Sequence, residues 1–260
     1  MEVIGVEENI ETLTQQCAEA LSKSRKVVLL SGAGMSTNAG IPDFRGPNGV
    51  YKRKMKTDPE LIFDIDYFRQ NPKFFYEFHR EFLHTINTIR PTFSHHFFAE
   101  LEKKGVLKGI ITQNIDALHQ KAGSKKVFEI HGSTWESFCT HCGQRYDYDL
   151  SYEKTFKEEV PHCDKCGGII KPDIVFFGEN VKYLYECQAL VEDADLLFVV
   201  GSSLTVTPAA FLPSMCHGKI VIVNKGEIST SYISPRRLFI RADCDIDEFF
   251  KALDKELNHR

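Results

Sequence analysis

The chain has 260 residues, 42% of them hydrophobic, with 32 basic against 36 acidic side chains and a formal net charge of -4. That length and apolar content supply a full core and exclude a disordered or fibrous chain, and the near balance of charge gives no general attraction to a polyanion. The start, "MEVIGVEENIETL", is acidic and has no basic segment leading into a long apolar one, and no later run approaches the ~18 apolar residues of a bilayer span. The reading is a soluble cytoplasmic protein, with no membrane partner and no direct contact with nucleic acid.

In chain order, residues 8–23 place Ile10, Leu13, Cys17, Ala20 and Leu21 at helical spacing, and "KVVLLS" follows as a short buried strand. Further buried strands are expected at 107–113 ("LKGIITQ"), 126–130 ("KVFEI"), 173–178 ("DIVFFG"), 195–201 ("DLLFVVG") and 219–224 ("KIVIVN"), with helices at 94–104 and 182–192. This alternation predicts an α/β fold with a mostly parallel sheet covered on both faces, whose ligands sit at the carboxyl ends of the strands. Five of those ends carry polar or glycine-bearing tips: "SGAG", "TQNID", "EIHG", "VGSS" and "IVNKGE". Two stretches break the alternation, an aromatic-rich one at 41–91 and a cysteine-bearing one at 134–168, and these are expected to form a second, smaller lobe. The aromatic series Phe68, Phe74, Phe75, Tyr76, Phe78 and Phe82 reads as local core, and the basic run from Tyr51 to Lys56 as a solvated loop.

Gly32-Ala33-Gly34 after a strand fits the opening of a dinucleotide fingerprint, in which glycines let backbone N–H groups approach a pyrophosphate. The third glycine of that pattern would fall at Thr37, and no strand ending in an acidic residue follows about 20 residues on, so a hydride-transfer enzyme is disfavoured. "CTHC" (Cys139, Cys142) and "CDKC" (Cys163, Cys166) have the spacing of a four-thiolate zinc site, closed and therefore structural. The acidic residues around it, Glu136, Asp147, Asp149, Glu158 and Glu159, argue against a nucleic-acid-binding zinc ribbon.

With "GAGMSTNAGIPDFRGPNGVY", "TQNIDALHQKAG", "EIHGS", the cysteine quartet, "KPDIVFFGE", "VGSSLTV" and "IVNKGE" in this order, the chain resembles the sirtuins, NAD-dependent protein lysine deacylases, over about 27–249, and most of all the short bacterial members. The resemblance implies a Rossmann-like, doubly wound NAD-binding domain from 1–40, 92–133 and 169–260. It implies a small domain from 41–91 and 134–168 with one structural Zn2+, and NAD and an acyl-lysine protein or peptide meeting between the two. Gly32, Ala33, Gly34 and Thr37 would line the phosphate and ribose site, and Asp43, Phe44 and Arg45 would belong to a cofactor-binding loop. Gln113 and Asn114 would face the nicotinamide ribose, and Ile115 and Asp116 the carboxamide. Gly201, Ser202, Ser203, Asn224, Lys225, Gly226, Cys244 and Ile246 would hold the adenosine half, while Val175, Phe176 and Gly178 would border the acyl-lysine.

The same resemblance implies that NAD is consumed: the acyl oxygen attacks the nicotinamide ribose, nicotinamide leaves, and the acyl group ends on ADP-ribose. His131 is then the expected base for a ribose hydroxyl, with Asn114 facing the reacting ribose and Asp116 anchoring the nicotinamide leaving group through its carboxamide. Asp116 also stands where a helix N-cap for "ALHQKA" belongs. Sirtuins that remove succinyl or malonyl groups carry a Tyr-x-x-Arg pair. His79 and Phe82 occupy those places here, with Arg80 nearby, which points to acetyl or longer apolar acyl groups. The alternative activity is mono-ADP-ribosyl transfer or NAD hydrolysis at the same site. A monomer is the expected state.

Overall fold

A computed structural model describes residues 9–43, 49–52 and 57–259, so Phe44, Arg45 and positions 53–56 of the basic run lie outside the described residues. Among the described residues the main elements are α1 (Ile10–Lys23), β1 (Val27–Ser31), α2 (Ile65–Gln70), α3 (Pro72–Thr88), α4 (Phe93–Lys103), β2 (Leu107–Thr112), α5 (Leu118–Lys121), β3 (Val127–Glu129) and β4 (Gly132–Cys139). There follow β5 (Arg145–Asp147), α6 (Tyr148–Lys157), β6 (Ile170–Ile174), α7 (Leu184–Glu192), β7 (Leu196–Val200), β8 (Lys219–Val223), β9 (Leu238–Ala242) and α8 (Ile246–Asn258). The chain divides into two units, residues 1–43, 90–130 and 183–260 in the first and 44–89 and 131–182 in the second.

The first unit holds a six-stranded sheet in the order β3-β2-β1-β7-β8-β9, parallel at every pairing. Numbered within the unit this is the 3-2-1-4-5-6 order of doubly wound dinucleotide-binding sheets, whose strand order reverses beside β1. Val27 to Ser31 are all buried, because helices cover both faces. On one face Leu13, Cys17 and Leu21 of α1, Phe97 and Phe98 of α4, and Phe249 and Phe250 of α8 pack onto Leu29, Ile110, Phe198 and Val221. On the other, α7 packs against β2, and Leu190 lies against Gly109. The register puts Glu129, Thr112, Ser31, Val200, Val223 and Ala242 in one transverse row. The five tips therefore leave the sheet side by side.

The second unit has a three-stranded antiparallel sheet, β5-β4-β6. Here the structure corrects the expected strand at 173–178. β6 runs from Ile170 to Ile174 and pairs antiparallel with β4, and Val175 to Gly178 leave it as a loop. Consequently 131–133 and 169–182 fall in this unit and outside the Rossmann-like one. An apolar run cannot by itself tell which of two sheets it joins. The edge strand β9 and the helix α6 were not anticipated; β9 is only half-buried at three of its five positions and α6 has more exposed than buried ones, which weakens their hydrophobic periodicity. The aromatic series is core as expected: Phe63 sets its ring edge-on to Phe75, Phe78 and Phe176, and Phe68 does the same to Phe75 and Phe176. Tyr76 donates its hydroxyl proton to the Ile170 carbonyl, tying α3 to β6.

Cys139, Cys142, Cys163 and Cys166 bring their sulfurs within 4.8 Å of one another, with 3.5 Å between Cys139 and Cys166 and 3.7 Å between Cys142 and Cys163. A tetrahedron of sulfurs at the usual ~2.3 Å from zinc has edges of about 3.8 Å, so the set fits one zinc ion with no position left for water. The Tyr146 hydroxyl and the His141 and Cys142 backbone N–H groups donate to these sulfurs, the outer hydrogen bonds that orient ligands.

Two outcomes follow for stability. Gly201 has φ +63° and a Cβ there would stand 2.2 Å from the Met35 nitrogen, whereas Gly105 has φ +74° with open space around it. In urea unfolding Gly105→Ala should cost about 1–2 kcal/mol, the left-handed term alone, and Gly201→Ala clearly more, because the overlap adds to it. Cys163→Ser should leave less than one zinc per chain and a lowered unfolding temperature; full zinc content with unchanged melting would contradict the four-thiolate site.

Candidate functional site

The site in the first unit is built where β1 and β7 end beside each other. The Gly32 N–H donates to the Val200 carbonyl at 3.0 Å and the Gly34 N–H to the Gly201 carbonyl at 2.8 Å. A Cβ on Gly32 would lie 2.7 Å from the Gly201 oxygen, and one on Gly34 2.9 Å from the Gly201 Cα. These glycines are thus required by the meeting of two loops, before any ligand is considered. Ala33 begins a 3-10 turn, Ala33–Ala39, and Thr37, exposed on that turn, returns its hydroxyl to the Gly34 carbonyl at 2.9 Å.

The "TQNID" tip of β2 is fastened to both loops. Gln113 Nε2 donates to Ser202 Oγ at 2.8 Å, reaching across the end of β1 to the β7 tip. Asn114 Nδ2 donates to the Gly32 carbonyl at 3.0 Å and to Ser36 Oγ at 3.1 Å. With both amide hydrogens given to the protein, Asn114 presents its Oδ1, an acceptor, to a ligand. Ser36 Oγ donates in turn to Asp116 Oδ2 at 2.6 Å, and the Leu118 N–H donates to Oδ1 at 2.9 Å, so Asp116 does act on the start of α5. Asp116 is 4% exposed, and burial raises its carboxyl above the usual carboxylate range against the pull of these hydrogen bonds. Ala117 and Leu204, both non-glycine, stand at φ 56° and 52° beside these groups, strain of a kind that concentrates at ligand sites. Ile115 is buried between its polar neighbours.

At the other tips, Asn224 Nδ2 lies 3.4 Å from the carbonyls of Lys225, Gly226 and Glu227 and shapes the turn after β8, while the Gly226 N–H donates to Asp243. Ser203 shares a hydrogen bond with Thr205 and is half-buried. Asp43 is half-buried at the edge of the described residues. Cys244 and Ile246 turn their side chains to the core, so a ligand contact from that segment falls to its main chain.

In the second unit His131 immediately precedes β4, half-exposed, and its carbonyl accepts from the Val175 N–H at 2.8 Å. Gly132 follows at φ +74°, where a Cβ would stand 1.9 Å from the Asp173 carbonyl oxygen; only glycine lets this segment pass so close to the end of β6. Phe176 is 1% exposed and belongs to the aromatic core, while Phe177 is 44% exposed and occupies the open position beside Val175 and Gly178. Lys171 was not singled out by its sequence. It is fully buried, with Nζ donating to the Ile174 carbonyl at 2.7 Å and to Glu179 Oε2 at 2.9 Å and standing 4.0 Å above the Phe176 ring. Glu179 also accepts from the Phe176 N–H at 2.8 Å, so this pair clamps the loop 174–179. Ser36 was missed likewise, since a serine two residues past a glycine carries no signal until its partner is known.

His79, Arg80 and Phe82 are each held by neighbours in the second unit. His79 is 4% exposed and stacked on Phe75, and burial lowers its pKa to about 3; Phe82 stacks on Phe78. Arg80 directs Nη1 at the carbonyls of Thr155, Glu158 and Glu159 at the end of α6.

Comparison with known proteins is concordant. The Sir2 family model matches residues 32–208. The NAD-dependent protein deacetylase of Thermotoga maritima is 43% identical over 243 residues, covering 92% of this chain and 96% of that protein, and its namesake from Saccharolobus solfataricus is 45% identical over 217 residues, covering 82% and 86%. Among solved structures, Sir2 with a p53 peptide and NAD+ superposes with a TM-score of 0.83 at 40% identity, covering 94% of this chain and 98% of that one. Sir2 bound to acetylated peptide gives 0.84 at 38%, covering 95% and 99%. With nearly the whole chain matched and its motifs in their places at the strand ends, the protein belongs to the Sir2 family.

Proposed function

We propose that the protein is an NAD-dependent protein lysine deacetylase, which moves the acetyl group of acetyl-lysine to ADP-ribose with release of nicotinamide. The observation that carries this reading is the buried link Asn114–Ser36–Asp116, held against the glycine loop at the strand-order reversal of a dinucleotide-type sheet. Bound NAD supplies the glycosidic bond that is broken and the ribose that receives the acyl group. Asn114 Oδ1 suits a ribose hydroxyl, a donor. Asp116, with one hydrogen bond on each oxygen, keeps lone pairs for the carboxamide N–H2 of nicotinamide and anchors the leaving group. Gln113 holds the nicotinamide-ribose side. Gly32, Ala33, Gly34 and Thr37 hold the pyrophosphate and its ribose, and Ser202, Ser203, Asn224, Lys225 and Gly226 hold the adenosine half.

His131 accepts the proton of a ribose hydroxyl. Val175, Phe176 and Gly178 border the acyl-lysine segment, with the exposed Phe177 beside them, on a loop held in shape by Lys171 and Glu179. With His79 neutral, Phe82 apolar and Arg80 engaged, these positions offer no cation to an acyl carboxylate, which favours acetyl and apolar acyl groups. No helix among the described residues is long and apolar enough to cross a membrane. A cytoplasmic monomer, its zinc thiolates kept reduced, completes the reading.

Mass spectrometry of the protein with NAD and an acetyl-lysine peptide tests it directly. Expected are the free lysine peptide, nicotinamide and O-acetyl-ADP-ribose, with peptide deacetylation reduced by about 10²–10⁴-fold in His131→Ala. Nicotinamide release with the acetyl group untouched would instead indicate ADP-ribosyl transfer or NAD hydrolysis. Asp116→Asn separates stability from activity. Because burial raises the Asp116 carboxyl, its ionised form costs the folded state stability above that raised pKa, and the cost disappears as pH falls through it toward the unfolded value. The amide carries no such cost but accepts only one of the two hydrogen bonds, so the stability of the variant relative to the parent should improve as pH rises from acid to 7.5, while nicotinamide release falls by about 10²-fold. Equal activity in the two proteins would remove Asp116 from the carboxamide.

A further inference from the structure

Two histidines that this chemistry does not use lie buried under the "TQNID" tip. His95 on α4 and His119 on α5 are 0% and 1% exposed, with ring centroids 4.9 Å apart and ring planes at 57°. Each has one nitrogen engaged by the protein, while His95 Nε2 and His119 Nδ1, both buried, have no protein partner within hydrogen-bonding distance.

The engaged nitrogens fix the tautomers. The Thr92 backbone N–H donates to His95 Nδ1 at 3.3 Å, so that nitrogen carries no proton and the ring proton of the neutral imidazole sits on Nε2; the Thr92 hydroxyl lies 2.9 Å from the same nitrogen and 3.0 Å from Ser94 Oγ. On the other ring, Ser31 Oγ gives its single proton to Thr112 Oγ1 at 2.9 Å. It can then only accept at the 2.9 Å contact with His119 Nε2, which places the proton of His119 on Nε2 and leaves Nδ1 bare. The two unpartnered atoms are thus one donor, His95 Nε2–H, and one acceptor, His119 Nδ1. Burial holds His95 down at about 4 and His119 well below its ordinary value, so both rings are neutral at physiological pH.

From there the row of polar groups continues into the site, because Thr112 Oγ1 also accepts from the Asn114 backbone N–H at 3.1 Å. On the far side of the tip, α5 begins with the Leu118 N–H that holds Asp116, one residue before His119. We propose that His95 and His119 are a fixed-tautomer positioning pair, closed from His95 Nε2–H to His119 Nδ1 through one buried water, that sets the Asn114–Asp116 tip for NAD. The assignment of NAD rests on the deacetylase reading; the tautomers and the closure do not. Neither histidine touches substrate, and both act through Ser31, Thr112 and the ends of α4 and α5.

The experiment has a spectroscopic and a kinetic arm. In two-bond 1H–15N correlation spectra of the parent protein at pH 7.5, both rings should show protonated Nε2 and bare Nδ1; a proton on Nδ1 of either ring overturns the pair whatever the enzyme does. In steady-state kinetics with NAD and an acetyl-lysine peptide, His119→Ala should lower kcat/KM for NAD about tenfold, the worth of one buried hydrogen bond. The peptide KM and zinc content should stay unchanged. His119→Gln, which keeps an N–H directed at Ser31, should recover most of that loss. Equal losses in the two variants, or a loss that also raises the peptide KM, would reduce His119 to a packing residue. A parent protein that releases no nicotinamide would defeat the deacetylase reading, and the spectra would still decide the tautomers.

Discussion

The backbone contact between Gly34 and Gly201 is the constraint on which the carboxyl edge of the large sheet depends. Two parallel strands that end side by side normally send their loops apart, since side chains on the first residues of each loop would collide. Here a 2.8 Å hydrogen bond from the Gly34 N–H to the Gly201 carbonyl leaves no room for a Cβ on either chain, and the loops stay together. Their meeting creates a common anchorage for the tip of β2. Asn114 holds one loop at the Gly32 carbonyl and Gln113 holds the other at Ser202. Ser36, carried round by the same turn, comes to face Asp116.

A polar strand end buried this deeply has to answer for each donor and acceptor, since an unpaired buried group costs about 1–3 kcal/mol. Ser31, Thr112, Asn114, Ser36 and Ser202 do so by bonding to one another and to nearby main chain, which leaves a small set of directed groups facing outward. The remaining cost is concentrated at Asp116, whose burial opposes its charge, and at Ala117 and Leu204, whose backbones are left-handed. Stability is given up beside these directed groups, the exchange expected of a preorganised site.

The second unit solves a different problem. A three-stranded sheet of short strands has little core of its own and needs a further tie. It has two, the four sulfurs at one end and the interlocked rings of Phe63, Phe68, Phe75 and Phe176 at the other. Lys171 connects ring cluster and loop, since its ammonium lies over Phe176 while bonding to Ile174 and Glu179. A buried charge tolerates such a place only when its partners are fixed, and here those partners shape the loop that carries Val175 and Gly178.

Much of this protein was legible in its residues alone. Apolar runs bounded by glycine and polar tips identified the central strands, and the paired C-x-x-C turns identified the metal ligands, because both signals are local and periodic. The ordered motifs named the family and with it the residues of the "TQNID" and "IHG" tips. Tertiary structure decided what depends on partners far apart in sequence. It divided the 173–178 run between the end of a small-sheet strand and a loop, and put Phe176 in the core with Phe177 outside. It showed that the glycines serve each other, and it joined Ser36 to Asp116 across 80 positions and His95 to Ser31 through His119. Burial and hydrogen-bond partners are properties of the assembled surfaces, so a buried lysine, a neutral histidine pair and a raised carboxylate have no signature in a chain read one residue at a time.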